Sequence, residues 1–303
     1  MLRLLIFFSL ILTLSADKKI VLLSGKLTHP GGLHEYERGV MLLKVMLDNC
    51  NVKGLKTEYH LQGGWPDDPS TLDDADLILV YSDGGNNTKP ELRNPLLMND
   101  ERYAVLKKQM ERGCGVVALH YSTFSPDKYA QEILKWYGGY FDYEGPDGKK
   151  QPQKGWYSKI KTTSSDIKFV NPEHPIHKGV KPFKMKEEWY YELRFASKGQ
   201  GYIPLWNIPD LDNDSQKDAA IVSWAIQRKD GSRGFGTTTG HFHYNWANPN
   251  YRKHILNGII WSAGLEVPEN GVEAKHYTDS KVAEMLGVEY VKTGTQKHKS
   301  SVK

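Results

Sequence analysis

The sequence predicts an α/β fold built on a mostly parallel sheet. Three observations lead there. Short apolar runs alternate with helical patterns. The runs "KIVLLSG", "DLILVYS" and "GVVALHYS" are nearly unbroken Val, Ile and Leu, as strands buried on both faces must be. The runs end in Gly, Ser or Asp, the residues of turns.

Taken in order, residues 1–16 read as a leader. Arg3 precedes an apolar run from Leu4 to Leu14, too short to span a bilayer, and Ser15-Ala16 stands before the charged "DKK". This pattern is that of an export signal, so the expected location is periplasmic or secreted. "KIVLLSG" is the first strand. In "EYERGVMLLKVMLDN", Tyr36, Val40, Leu43 and Leu47 fall on one helical face, with Glu35 and Glu37 in the first turn. "LKTEYHLQ" is the second strand and "ADLILVYSDGG" the third. A helix capped by Asn99 or Asp100 reaches Arg112, and "GVVALHYS" is the fourth strand. "SPDKYAQEILKWYGG" is a helix with Ser125 as N-cap and Gly138 as stop.

Residues 142–186 break the rhythm and read as an insertion of loops and short strands. Regular structure resumes at "EEWYYELRF", "AAIVSWAIQR" and "RGFGTTTGHFHYNW". The helix "NPNYRKHILNGIIWSAG" comes next, capped by Asn248-Pro249 and closed by Gly264. No internal repeat is visible. The organisation expected is a leader (1–16), one elaborated domain (17–273) and an extension (274–303) whose basic tail lacks periodicity and reads as disordered.

Composition is that of an ordinary globular chain, 39% hydrophobic and 25% charged. Once Arg3 and the four tail lysines are set aside, the 40 basic residues fall to 35 against 36 acidic. That balance argues against nucleic acid or a membrane surface as partner. The two cysteines, Cys50 and Cys114, are too few for a thiolate metal site.

Ligands of open α/β sheets bind beyond the carboxyl ends of the strands. Five of the eleven histidines lie there: His29 and His34 after the first strand, His120 after the fourth, His241 and His243 after the last. His60 sits at the end of an edge strand. The others read as loop, helix-surface or tail residues. If the last strand continues, His241 and His243 share a face. Imidazoles in such a group serve as ligands of a divalent metal such as zinc, or as acid/base groups. Asp83, Glu187 and Glu188 are the carboxylates within reach of the same edge. Trp65, Trp156, Trp189, Tyr190 and Trp246 are rings on which a sugar could stack, and Tyr121 follows His120. Gly84 and Gly85 in "DGGNN" could turn backbone N–H groups toward an anion.

Together "HPGGLHEYERGVMLLKVML", "DLILVYSDGG", "GVVALHYS", "EEWYYELRF" and "GHFHYNWANPNYRKHILNGIIWSAGLEVPENGVEA" resemble the ThuA-like (trehalose utilisation) family. The likeness runs from Lys18 to Ala274 and is strongest from Gly240 to Val272. It implies a flavodoxin-like, class I glutamine-amidotransferase-like three-layer sandwich and a role in carbohydrate utilisation, with keto-sugars among the ligands. The cysteine chemistry of the amidotransferases is not expected, because "ALHYS" puts His120 and Tyr121 at the elbow and Cys114 begins that strand. A Cys50–Cys114 disulfide is conceivable at the far end of the sheet.

The function expected is therefore an exported enzyme acting on a sugar or keto-sugar by hydrolysis, isomerisation or elimination. His120, His241, His243, Glu188 and Asp83 are the catalytic candidates. Tyr121, Tyr190, Trp246, Gly84 and Gly85 are expected to bind the carbohydrate. His29, His34, His120, His241 and His243 are the candidate ligands of a zinc-like ion. The alternative is a carbohydrate-binding protein without catalysis.

Overall fold

The computed structural model describes residues 17–61, 63–89, 99–144, 149, 152–211 and 220–290. The leader and the basic tail read from the sequence lie outside the described residues.

The first half runs β1 (Lys18–Ser24), α1 (Tyr36–Asp48), β2 (Leu55–His60), β3 (Leu77–Tyr81), α2 (Asp100–Glu111), β4 (Gly115–Leu119), α3 (Asp127–Trp136) and the short β5 (Gly139–Tyr140). The inserted region and the stretch after it contribute β6 (Lys159–Asp166), β7 (Lys168–Phe169), β8 (Lys184–Tyr191) and β9 (Arg194–Phe195). The chain closes with β10 (Tyr202–Asn207), β11 (Ile221–Gln227), β12 (Arg233–Thr237), α4 (Pro249–Ser262) and α5 (Asp279–Leu286).

The main sheet has the order β2-β1-β3-β4-β12-β11-β10-β7. Its first five strands are parallel, and β11, β10 and β7 add an antiparallel flank. The parallel part has the flavodoxin-like order expected. Alternation along each strand produces the three layers. In β3, Leu77, Leu79 and Tyr81 join the core under α1 and α4, while Ile78 and Val80 join the core under α2 and α3. Outside the sheet, β6 and β8 form an antiparallel ribbon that pairs Ile160 with Tyr190 and Thr162 with Glu188. No helix among the described residues is long and apolar enough to cross a membrane.

Several expectations change. Ser125 does not cap α3; its hydroxyl bonds the Pro126 carbonyl at 3.2 Å, and the Asp127 N–H is taken instead by Glu144 Oε2 at 2.6 Å. His254 is not on a helix surface. It is fully buried, stacked on Trp206 at 3.6 Å and bonded to Ser223 at 2.8 Å. Cys50 and Cys114 are both free. They belong to the two different cores, so the sheet separates them.

Candidate functional site

The parallel strands end along one edge, and the loops that leave it carry the histidines. His34 lies on the loop from β1 to α1, His120 directly follows β4, and His241 lies on the loop from β12 to α4. His34 and His120 have φ of 48° and 53°, a left-handed backbone uncommon outside glycine. Such strain costs about 1–3 kcal/mol per residue and gathers at functional sites. The β12–α4 loop turns at Gly240, whose φ of 130° suits glycine, with the Tyr81 hydroxyl donating to its carbonyl. Glu188 and Tyr190 come from β8, on the ribbon.

Four ligand-type atoms converge here. His34 Nε2 is 2.8 Å from His241 Nδ1 and 3.1 Å from His120 Nε2. Glu188 Oε2 is 3.2 Å from His241 Nδ1 and 3.7 Å from His120 Nε2. The hydrogen bonds behind them assign the tautomers. His120 Nδ1 lies 2.7 Å from the Thr238 carbonyl, which can only accept, so Nδ1 holds the proton and Nε2 a lone pair. Tyr36 donates its proton to Asp83 Oδ1 at 2.5 Å and so accepts from His34 Nδ1, also at 2.5 Å. His34 Nε2 is therefore the second bare lone pair, facing the first. The Tyr190 hydroxyl stands 2.8 Å from His120 Nε2 and 3.2 Å from Glu188 Oε2.

Burial, reinforced by the neighbouring imidazoles, holds His34 and His120 well below the ordinary histidine range. Both are neutral ligand-type groups at pH 7. Burial also lowers His29, against the pull of Asp83. Glu188 feels burial as an upward push, but His241, His120 and Tyr190 outweigh it and hold the carboxyl below its usual value. Burial raises Asp83 despite hydrogen bonds from Tyr36, Thr28 and Asn87.

Of the residues singled out in the sequence, His29, His34, His120, His241, Glu188, Tyr121 and Tyr190 come together. His29 stacks on His34 with ring centroids 3.6 Å apart. Asp83 stands behind His34 rather than in the cleft, 1% exposed.

Other candidates land elsewhere. β12 stops at Thr237 and residues 243–247 form a 3-10 turn, so the strand period does not carry past it. His243 consequently turns away and bonds Asp279 at 2.8 Å. The same turn drives Trp246 into the core, 0% exposed against Tyr251, where no ligand can stack on it. Trp189 is likewise buried, bonded to Thr163. Gly84 and Gly85 are packing glycines. A Cβ on Gly84 would collide with that of Phe124, and the Gly85 N–H already bonds the Phe124 carbonyl at 3.1 Å.

Sequence reasoning did not single out Phe124 or Ile160, and it placed Tyr36 only on a helical face. Tyr36 follows His34 by two residues, but its role needs Asp83 from another strand. Glu187, considered beside Glu188, takes a different part. It is fully buried and accepts from the Glu188, His241 and Gly240 N–H groups and from Asn245 Nδ2, at 2.8 to 3.2 Å.

A cleft of about 250 Å³ opens over the cluster. Tyr121, Phe124, Trp156 and Ile160 form its apolar walls, with His29, His34, Glu188 and Tyr190 below. The described residues that line it include no lysine or arginine.

Residues 33–262 match the family model ThuA, described as trehalose utilisation. A putative ThuA-like protein from Parabacteroides merdae superposes with a TM-score of 0.56 at 15% identity, over 86% of this chain and 98% of that one. Another from Bacteroides uniformis gives 0.53 at 14% identity, over 81% and 91%. A glutamine amidotransferase from Thermotoga maritima gives 0.35 at 8% identity, over 75% and 76%. No protein of curated function matches the sequence.

Proposed function

The chain belongs to the ThuA, or trehalose utilisation, family, and from that premise we propose that it is an exported, metal-dependent enzyme acting on a neutral sugar or keto-sugar. One observation carries the metal: the bare Nε2 lone pairs of His34 and His120 face each other at 3.1 Å, with His241 Nδ1 and Glu188 Oε2 beside them. Lone pairs this close are satisfied either by protons that Tyr190 and His241 can supply, each at 2.8 Å, or by a cation, and a cation answers both at once. The separations of 2.8, 3.1, 3.2 and 3.7 Å bracket the roughly 3.3 Å edge of a tetrahedron with bonds of about 2.0–2.1 Å, the zinc geometry. His34, His120, His241 and Glu188 are the ligands proposed. A bound divalent ion would polarise a substrate carbonyl or hydroxyl and acidify water.

The chain's own residues supply the rest. Asp83, through Tyr36, fixes the tautomer of His34, the role carboxylates take behind ligating histidines. Tyr190 carries a hydroxyl proton into the cleft floor, where it can bond a substrate oxygen. Tyr121, Phe124 and Trp156 offer ring faces to the apolar side of a sugar. The cleft is below the ~300–1,000 Å³ of drug-sized ligand pockets, which suits a single ring. No lysine or arginine stands among the described residues that line it, so apart from the ion itself they offer no positive side chain to pair with a phosphate or carboxylate, which suits a neutral substrate. Isomerisation and elimination on a keto-sugar need a polarised carbonyl and a moved proton, hydrolysis needs an activated water and a proton for the leaving oxygen, and this set of groups would serve each. Cys114, at the start of β4 and buried, takes no part. The apolar leader fits export.

Metal analysis of the purified chain, with turnover of neutral keto-sugars by wild type, His34→Ala and His120→Ala, tests the proposal. The expected result is one bound ion and turnover in the wild type, both lost in the variants. Turnover unchanged in the variants, with no ion retained, would overturn it. The aromatic walls also favour carbohydrate binding without catalysis, which would show as saturable sugar binding and no product.

A further inference from the structure

We propose that Asp279, on the C-terminal helix α5, is a positioning residue that clamps together the two loops carrying His34 and His241. The inference rests on the ligand role assigned to those histidines above. α5 lies beyond residues 33–262, the part of the chain that matches the family model.

The two loops pair as a miniature antiparallel bridge. The His34 N–H donates to the His241 carbonyl, and the His243 N–H to the Gly32 carbonyl, both at 3.0 Å. This pair is short, and among the described residues no third strand lies beside it. Polar contacts through Asp279 close a ring around it. His243 Nε2 donates to Asp279 Oδ1 at 2.8 Å, and Arg38 Nη1 to Asp279 Oδ2 at 3.0 Å. Arg38 Nε lies 3.4 Å from Glu35 Oε2, whose partner oxygen accepts the Gly32 N–H at 2.7 Å. Gly32 then leads back to His243. One oxygen of Asp279 thus holds the His241 loop through His243, and the other reaches the His34 loop through Arg38 of α1 and Glu35.

The helix that presents Asp279 is itself fixed. Val282 and Ala283 are buried against the core over α1, Thr278 Oγ1 caps the Lys281 N–H at 3.3 Å, and Gly287 closes the last turn with φ 67°. Opposed charges in a partly dry setting make a geometric constraint of such a pair, because breaking one partner leaves the other unpaired. Asp279 touches none of the four proposed ligand atoms, so its influence passes through the loops alone. His243, set apart from the histidines of the cluster, finds its role here.

The test uses the full chain and the variants Asp279→Ala, Asp279→Asn, His243→Ala and the double variant Asp279→Ala/His243→Ala. Zn²⁺ affinity is read by competition with a chromophoric chelator, and hydrogen exchange of the His34 and His243 amides is read on metal-free protein. Asp279→Ala should weaken Zn²⁺ binding by up to about tenfold, the low end of the cost of losing a group bonded directly to a ligand, and speed exchange at both amides. The double variant should lose no more than the worse single one. Asp279→Asn, which keeps the size and an acceptor oxygen, should fall between and guards against a misfolded alanine variant. Exchange at both amides equal to wild type in a folded Asp279 variant would overturn the clamp. A wild type that fails to bind Zn²⁺ would refute the metal reading alone, since the exchange comparison is made without metal.

Discussion

Replacing Glu187 by alanine should cost about 2–6 kcal/mol at pH 5. Its carboxylate is fully buried and accepts four donors: the Glu188 N–H at 2.8 Å, Asn245 Nδ2 at 3.0 Å, the Gly240 N–H at 3.1 Å and the His241 N–H at 3.2 Å. Below its pKa the group is the neutral acid, whose hydrogen bonds contribute about 0.5–1.5 kcal/mol each, so four sum to about 2–6 if independent. Burial outweighs them for the charged form, pushing the carboxyl up to about 7 from an ordinary 4.5. Holding the charge at pH 8 therefore costs roughly 3 kcal/mol net of those bonds, and the loss on truncation shrinks by about that much. Glu187→Gln keeps one oxygen and two donors but turns an NH₂ toward the others, so about half the loss is expected. Because the folded pKa is raised, the contribution of Glu187 is fully present below about 4.5 and lost as pH rises through about 7. The gap between wild type and Glu187→Ala should narrow across that window. Urea unfolding from pH 5 to 8, with the m-value unchanged, measures it. A loss below about 1 kcal/mol at pH 5 would refute the argument that Glu187 organises the "GHFHYNW" loop.

Burial depresses His177 to about 4, so its contribution is present above its unfolded pKa of about 6.5 and lost as pH falls toward 4, by up to about 3 kcal/mol. Thermal unfolding should show stability falling with acid over that range, and His177→Gln should flatten the slope. Trp156→Ala should weaken binding of a neutral sugar about tenfold while Trp156→Phe keeps most of it, as titration calorimetry would show, if the ring supplies about 1–1.5 kcal/mol of stacking. Thiol titration of the denatured, unreduced protein should count two free thiols per chain, since Cys50 and Cys114 lie in separate cores; a count of zero would contradict the fold.

Much of this was legible in the sequence because the parallel strands advertise themselves. Val116, Val117, Ala118 and Leu119 are apolar whichever face they meet, and the rule that sites form beyond strand ends pointed to His34, His120 and His241. The strand β10 escaped notice because Pro204 interrupts "YIPLWN" and its register with β11 shifts there. α5 is short, with only Val282 and Ala283 buried, too little to mark a helical face. The pairing of His241 with His243 failed because a strand period was carried past Thr237 into a turn. Glu187 and Glu188 are neighbours with opposite fates, one inside a loop and one in a cleft. Only the register of β8 against β6, set by distant residues, decides which faces where.

The left-handed backbone at His34 and His120 also offers a way to tell working members of such a family from lapsed ones. Glycine or asparagine would sit at those two positions with less strain, by about 1 kcal/mol. A descendant freed from the need for imidazoles would therefore drift toward those residues first. Histidine kept at both, against the preference of the chain itself, is the mark of a site still in use.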